Sequence, residues 1–209
     1  METSLPDLLE ALGELFLRPG DFELSRFEDL GQASWSGLGI TPALQALMIQ
    51  PAEDLDVAYA GLFLHGRERP TLHLEASAHR TGQLADPEVL RGLSGIYDAA
   101  GIQPDPGLQS DHLGILLCLL GHLFRELARA PRQRARQLEC AARALLEDHL
   151  GPLAQIVAAG LEAPGTHPLF RTAGSLMTKT LSLSERILGR RLATFQSHTA
   201  TPSWRIYAH

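Results

Sequence analysis

The chain has 209 residues, of which 44% are hydrophobic and 20% charged, enough for one domain with its own core and too apolar for a disordered chain. Its formal charge of -6 lacks the basic field that a general nucleic-acid binder needs. Cys118 and Cys140 form no Cys-x-x-Cys pair, which excludes a disulfide-stapled scaffold and reads as two small hydrophobes in a reducing compartment.

Glu2 and Asp7 stand where a signal peptide needs a basic start, so export by that route is not expected. Apolar residues then recur at three and four: Leu5, Leu8, Leu9, Leu12, Leu15 and Phe16 predict an amphipathic helix, with Ser4 and Asp7 at capping-box spacing and a stop at Arg18-Pro19-Gly20. A short helix is predicted from Phe22 to Leu30. Another starts at Thr41-Pro42, with Thr41 as N-cap, and is ended by Pro51, which opens a helix carrying Leu55, Tyr59, Leu62 and Phe63. Residues 66–83 are looser and receive no assignment.

Asp86-Pro87 repeats the N-cap-plus-proline signal and begins a helix through Val89, Leu93, Ile96 and Tyr97, stopped by Gly101. After a Pro/Gly-rich loop, Ser110 is the expected cap of a long helix with Asp111 in its first turn. From Leu113 to Leu127 that helix is apolar nearly all round, which predicts a central position. Its apolar run is shorter than the about 20 residues a bilayer span needs, so no membrane-spanning segment and a cytoplasmic location are expected. Pro131 precedes a helix reaching His149-Leu150 and ending before Gly151-Pro152; helices from Leu153 to Leu161 and Leu169 to Leu188 follow. Nothing alternates at period two. The expected fold is all-α, a single-domain helical bundle of about nine or ten helices over residues 1–198. Residues 199–209, with Pro202 and Trp204, have no period and read as a C-terminal tail.

No phosphate loop, nucleophile elbow or zinc-protease helix motif occurs. The one lysine, Lys179, sits between threonines in an ordinary helix and carries no catalytic signal. The enzymatic alternative is a metal site in a helical bundle: Cys118, His122 and Glu126 follow at steps of four, and His122 with Glu126 could be completed by His149 or His112. Asp111-His112 is the most suggestive dipeptide. After a Gly/Pro loop and before the most apolar helix, both side chains are expected at a pocket mouth; simple helix-start chemistry accounts for them equally well.

Tyr59-Ala60-Gly61-Leu62-Phe63, Glu75-Ala76-Ser77, Tyr97 followed by Gly101, Asp111-His112-Leu113 and His149-Leu150 occur in that order. The set resembles the redox-enzyme maturation chaperones of the TorD/DmsD/NarJ type, across residues 55–150. Two positions depart from the family pattern: Ser110 replaces the proline before Asp-His, and Ala76 separates Glu75 from Ser77. The resemblance implies an all-α, cofactor-free, non-enzymatic protein of the cytoplasm. Its implied partner is the catalytic subunit of a molybdopterin oxidoreductase, held by its N-terminal leader, often a twin-arginine signal, until cofactor insertion. It also implies a leader site at Ser110, Asp111, His112, Leu113 and Leu116, with Tyr59, Leu62, Phe63, Glu75, Tyr97, Gly101 and His149 in structural roles.

Charge is uneven along the chain: residues 1–63 carry -9, the middle -2, and residues 164–209 +5. An acidic N-terminal third beside an apolar groove would suit a leader that is basic at one end and hydrophobic after it; solvated faces of amphipathic helices explain it too. Arg129, Arg132, Arg134 and Arg136 cluster near Pro131 and read as a solvated helix start.

Overall fold

Leucines at helical spacing build the first helix, α1 (Leu5–Leu17), whose stripe of Leu5, Leu8, Leu9, Leu12, Leu15 and Phe16 is fully buried. The structure is a computed structural model; it describes residues 4–17, 24–31, 33, 35, 39–50, 54–64, 72–105 and 107–199, with side chains through 191. The expected stop at Arg18-Pro19-Gly20, Phe22, Pro51 and the tail from 200 onward lie outside the described residues.

Helix α2 (Ser25–Gly31) starts later than Phe22, with Leu24 still in a turn. Helix α3 (Ile40–Met48) is capped by Gly39 rather than Thr41. Gly39 takes φ 66, which glycine adopts without strain, so the chain enters the helix early and Pro42 falls in the first turn, where its missing N–H costs nothing. Helix α4 (Leu55–Tyr59) runs into a π-helical turn at Ala60–Leu64. Residues 72–75 are extended, and a short helix the periodicity did not assign, α5 (Ala76–Thr81), follows.

Helix α6 (Pro87–Ala100) begins and ends as its sequence predicts. Asp86 Oδ1 accepts from Glu88 N at 2.8 Å and Val89 N at 3.2 Å, and Gly101 at φ 75 closes it. Helix α7 (Leu113–Arg129) is the central one, and α8 (Arg132–Ala144) follows Pro131. Gly151-Pro152 does not break the chain there. A second π-helical turn, Leu145–Leu150, closes with Gly151 N–H on the Leu146 carbonyl and leads straight into α9 (Gly151–Leu161). Pro152 is tolerated because the wider turn has already shifted pairing off the i−4 carbonyl. The last helix, α10 (Pro168–Thr199), runs past Leu188. No strand occurs among the described residues; the one β-bridge pairs Glu75 with His112.

Helix α1 lies antiparallel along α7, with Pro6 at Gly121 and Leu17 at Gly114. The backbones touch: a Cβ on Gly114 would stand 2.5 Å from the Gly13 carbonyl oxygen, and one on Gly13 2.6 Å from the Gly114 oxygen. Helices α6 and α8 also pack on α7, and α10 packs against α1, α3 and α9. Edge-on aromatic contacts join these layers, Phe63 meeting Phe16 at 6.4 Å and Phe170 at 5.7 Å between ring centroids.

Gly114→Ala should destabilise the protein by about 1–3 kcal/mol through overpacking, since the obstacle is backbone. Gly95→Ala on α6, with nothing within 4 Å, should stabilise by roughly 0.5–1 kcal/mol. Urea unfolding of the two variants beside the parent protein checks both signs.

Candidate functional site

The extended residues 72–75 hold the site together. Leu72 N donates to the Leu62 carbonyl at 3.0 Å, Leu113 N donates to the Leu74 carbonyl at 2.7 Å, and Ala76 N donates to the Asp111 carbonyl at 3.0 Å. Asp111 completes the clasp: its Oδ2 accepts from Ser77 N at 2.9 Å and from the Ser77 hydroxyl. A carboxylate accepting two donors is well satisfied, and this is how Asp111 can be buried at 1% exposure. Asp111 is therefore not at a pocket mouth, nor in the first turn of α7. Its charge is spent on a segment 34 residues back in the chain.

His112, not Ser110, caps α7. Its Nδ1 accepts from Gly114 N at 3.1 Å, which assigns the ring proton to Nε2. Ser110 is half-buried and uses its carbonyl, which accepts from the Tyr97 hydroxyl at 2.9 Å. Burial pushes the Tyr97 phenol up, with Asp111 adding to the effect, so it stays a donor. Leu113 and Leu116 are core residues with no exposed surface. Tyr59 donates to the Phe16 carbonyl at 2.9 Å and is raised to about 12 by burial and by Glu75. Gly101 ends α6, and Glu75 bridges to His112 while its Oε2 lies 3.6 Å from His73 Nδ1.

Beside the clasp lies an apolar groove of about 710 Å³. One wall is Ala58, Gly61 and Leu62; Leu72 forms its floor with Gly160; the loop from Ala163 to Pro168 closes the other side. Leu72 is the first residue of the clasped segment, so groove and clasp are one construction.

The metal alternative is not assembled. His122 Nε2 meets the Ala100 carbonyl at 3.3 Å, whereas His149 sits against Gly92 of α6, where a Cβ would stand 3.2 Å from its ring. Among the described residues, no three His, Cys, Asp or Glu side chains are grouped to hold an ion. The Cys118 thiol is pushed up to about 11 by burial, which keeps it protonated and inert. Lys179 bonds the Ser175 hydroxyl at 3.0 Å, and Arg134 reaches Gln137 at 3.3 Å in the arginine cluster.

Much of the acidity of α1 is used internally. Arg125 of α7 binds Glu10 at 2.5 and 2.9 Å and Asp7 at 2.8 Å, and Arg26 pairs with Glu14. Arg125 is eleven residues beyond Gly114, about 16 Å along the helix, so Asp7 and Glu10 stand at the end of α7 away from the clasp. Exposed Asp54 and Asp56, at the start of α4, precede Ala58 of the same helix and Gly61 of the following π turn, both of which line the groove.

Reading residues alone missed Ser77 as the partner of Asp111 and the loop wall of the groove. The first carried a signal in the Glu75-Ala76-Ser77 segment; the second carried none.

The all-α bundle thus combines a buried Asp111–Ser77 clasp, a His112 cap on α7 and an adjoining apolar groove. The sequence pattern of the nitrate reductase delta subunit family matches residues 38–158, more than half of the chain. The protein belongs to that family, a member of the TorD/DmsD/NarJ redox-enzyme maturation chaperones that serve molybdoenzymes. No curated protein matches the chain. Among the described residues, no helix is long and apolar enough to cross a membrane.

Removing the clasp should cost stability: Asp111→Ala by about 1–3 kcal/mol, because Ser77 loses the acceptor for a buried N–H, and Ser77→Ala by less. Burial, opposed by Glu75 and Asp111, holds the His112 pKa below its usual 6.5. Burial also lowers His149, with Arg80 adding to the effect and Asp148 and Asp111 opposing it. The folded state thus prefers both rings neutral, and that contribution is complete above pH 6.5 and lost as pH falls through the depressed folded values. His112→Asn keeps a capping acceptor and removes one titration, so its melting temperature should fall less than the parent's between about pH 7.5 and 5.5. Identical pH slopes would remove His112 from this account.

Proposed function

We propose that the protein is a cytoplasmic assembly chaperone that binds the N-terminal leader of a molybdopterin oxidoreductase catalytic subunit and holds that subunit until its cofactor is inserted. The leader is a twin-arginine-type signal or its remnant. The protein acts by binding, without catalysis and without a cofactor of its own, through one domain over residues 1–198.

The observation that carries this reading is the apolar groove whose floor residue, Leu72, begins the segment clasped by Asp111. A cleft of about 710 Å³ with apolar walls suits the hydrophobic stretch of a leader. Exposed Asp54 and Asp56 suit its basic end. Within the motif, half-buried Ser110 and His112 are the residues nearest to solvent, and buried Asp111, Leu113 and Leu116 act from beneath by fixing the loop.

Titration with the leader peptide of the host's molybdoenzyme catalytic subunit should give low-micromolar or tighter binding. Ala163→Trp, on the exposed loop wall, should weaken it by about tenfold, near 1.4 kcal/mol, with the melting temperature unchanged. Asp54→Asn with Asp56→Asn should weaken it most at low salt. Failure to bind any such subunit or leader from the host would overturn the reading.

A further inference from the structure

The loop wall of the groove carries polar groups that the fold does not use. Its main chain is pinned: Ala163 N donates to the Gly160 carbonyl and Thr166 N to the Ala163 carbonyl, each at 3.2 Å. Arg171 gives its N–H to the His167 carbonyl at 3.2 Å and a guanidinium N–H to the Thr166 carbonyl at 3.4 Å. His167 Nδ1 accepts from Leu169 N at 3.3 Å, which assigns the ring proton to Nε2, and the ring stands edge-on to Phe170 at 6.2 Å. Left over are the Thr166 hydroxyl and the His167 Nε2–H. Among the described residues neither has a hydrogen-bond partner, and the enclosed side-chain atoms without one are His149 Nδ1 and Arg171 Nε. Both groups of the loop therefore keep open surface. Thr166 is only 6% exposed and lines the groove with His167, so what it leaves open faces the groove.

The lining defines what these groups can meet. His167 Nε2–H can only donate, and the hydroxyl beside it can turn to do the same, so the occupant brings acceptor oxygens. No charged side chain lines the groove among the described residues, so a carboxylate would lose its water there without gaining a counter-ion. The acceptors are therefore neutral. Apolar surface also continues past the groove: Val57 and Leu64, 71% and 54% exposed, stand about a turn to either side of Gly61 on the facing wall. They are about 10 Å apart along the axis, and a body that covers both and fills a cleft of about 710 Å³ between them is a chain segment. A polypeptide with apolar side chains carries one neutral acceptor per residue, its main-chain carbonyl.

We propose that Thr166 and His167 form a carbonyl subsite of the groove, where the Thr166 hydroxyl and the His167 Nε2–H donate to main-chain carbonyl oxygens of an apolar client segment bound in extended form. That the segment belongs to a leader rests on the reading above; the subsite needs only an apolar polypeptide. An extended stretch entering the groove takes its carbonyls out of water, and each one left unpaired costs affinity. A subsite that reads the main chain holds such a stretch while its apolar side chains vary.

Thr166→Val keeps the shape of the side chain and His167→Asn keeps an acceptor for Leu169 N, so both variants should melt with the parent protein. Each should weaken binding of the host's leader peptide about fivefold. In an amide-to-ester scan of the leader's hydrophobic stretch, where each ester carbonyl is a weaker acceptor, one or two positions should cost the parent protein affinity and cost the double variant nothing. A leader that binds with an affinity that neither variant nor any ester changes would overturn the subsite and leave the chaperone reading standing. The capped peptide acetyl-(Leu-Ala)3-amide separates the converse case. In NMR titration of the full chain it should shift the Thr166 amide and the His167 ring nitrogens saturably, about fivefold more weakly in Thr166→Val. That result beside no binding of any host leader would overturn the leader and keep the subsite. No saturable shift at either residue, with this peptide or with the leader, would mean that the loop wall holds only water, and the proposal would fall.

Discussion

The backbone contact between α1 and α7 is the constraint on which the other packing depends. Gly13 and Gly114 let two helices touch main chain to main chain, with Gly121 repeating the approach seven residues on, against Pro6. Closeness there has two effects. It buries one side of α7 and leaves the others for α6 and α8, and it brings Asp7 and Glu10 within reach of Arg125. A negative excess that looks from composition like a display for basic partners is in part an internal lock between the two helices.

With α7 fixed, its N-terminus becomes the anchor for a distant part of the chain. The extended residues 72–75 put Leu72 and Leu74 into the core, and they are held by main-chain hydrogen bonds to Leu62 and Leu113 and by Asp111. The buried carboxylate is thus an organising group rather than a contact group. It sets where Leu72 lies, and through Leu72 the floor of the groove. Rigid, buried residues thus shape the cleft, while Ser110 and His112 stay half-exposed at the same turn.

The bundle was legible wherever local chemistry decides. The stripe of α1, the Asp86 cap and the Gly101 stop need only neighbours within one or two turns, and the structure follows them. Legibility ended where tertiary bonds compete with local ones. Ser110 is as good a cap as His112 by residue type, but the Leu113–Leu74 hydrogen bond and the Asp111–Ser77 clasp pull the chain so that the helix begins beyond both Ser110 and Asp111. In the same way Gly151-Pro152 carries a strong break signal that a π turn neutralises. The Asp-His motif was visible as a motif; that its aspartate faces inward was not, because Ser77 is 34 residues away.

That π turn has a consequence for how the family can change. An extra residue in a helix rotates everything after it by roughly 100°. The single rod from Arg132 to Leu161 can therefore present one face to α6 and α7 in its first half and a different face to α10 in its second. Leu145–Leu150 works as a phase adjuster. A one-residue deletion there would keep the rod helical and yet turn Leu153, Val157 and Leu161 out of register with α10, so insertions and deletions at this point are filtered by angle rather than by length.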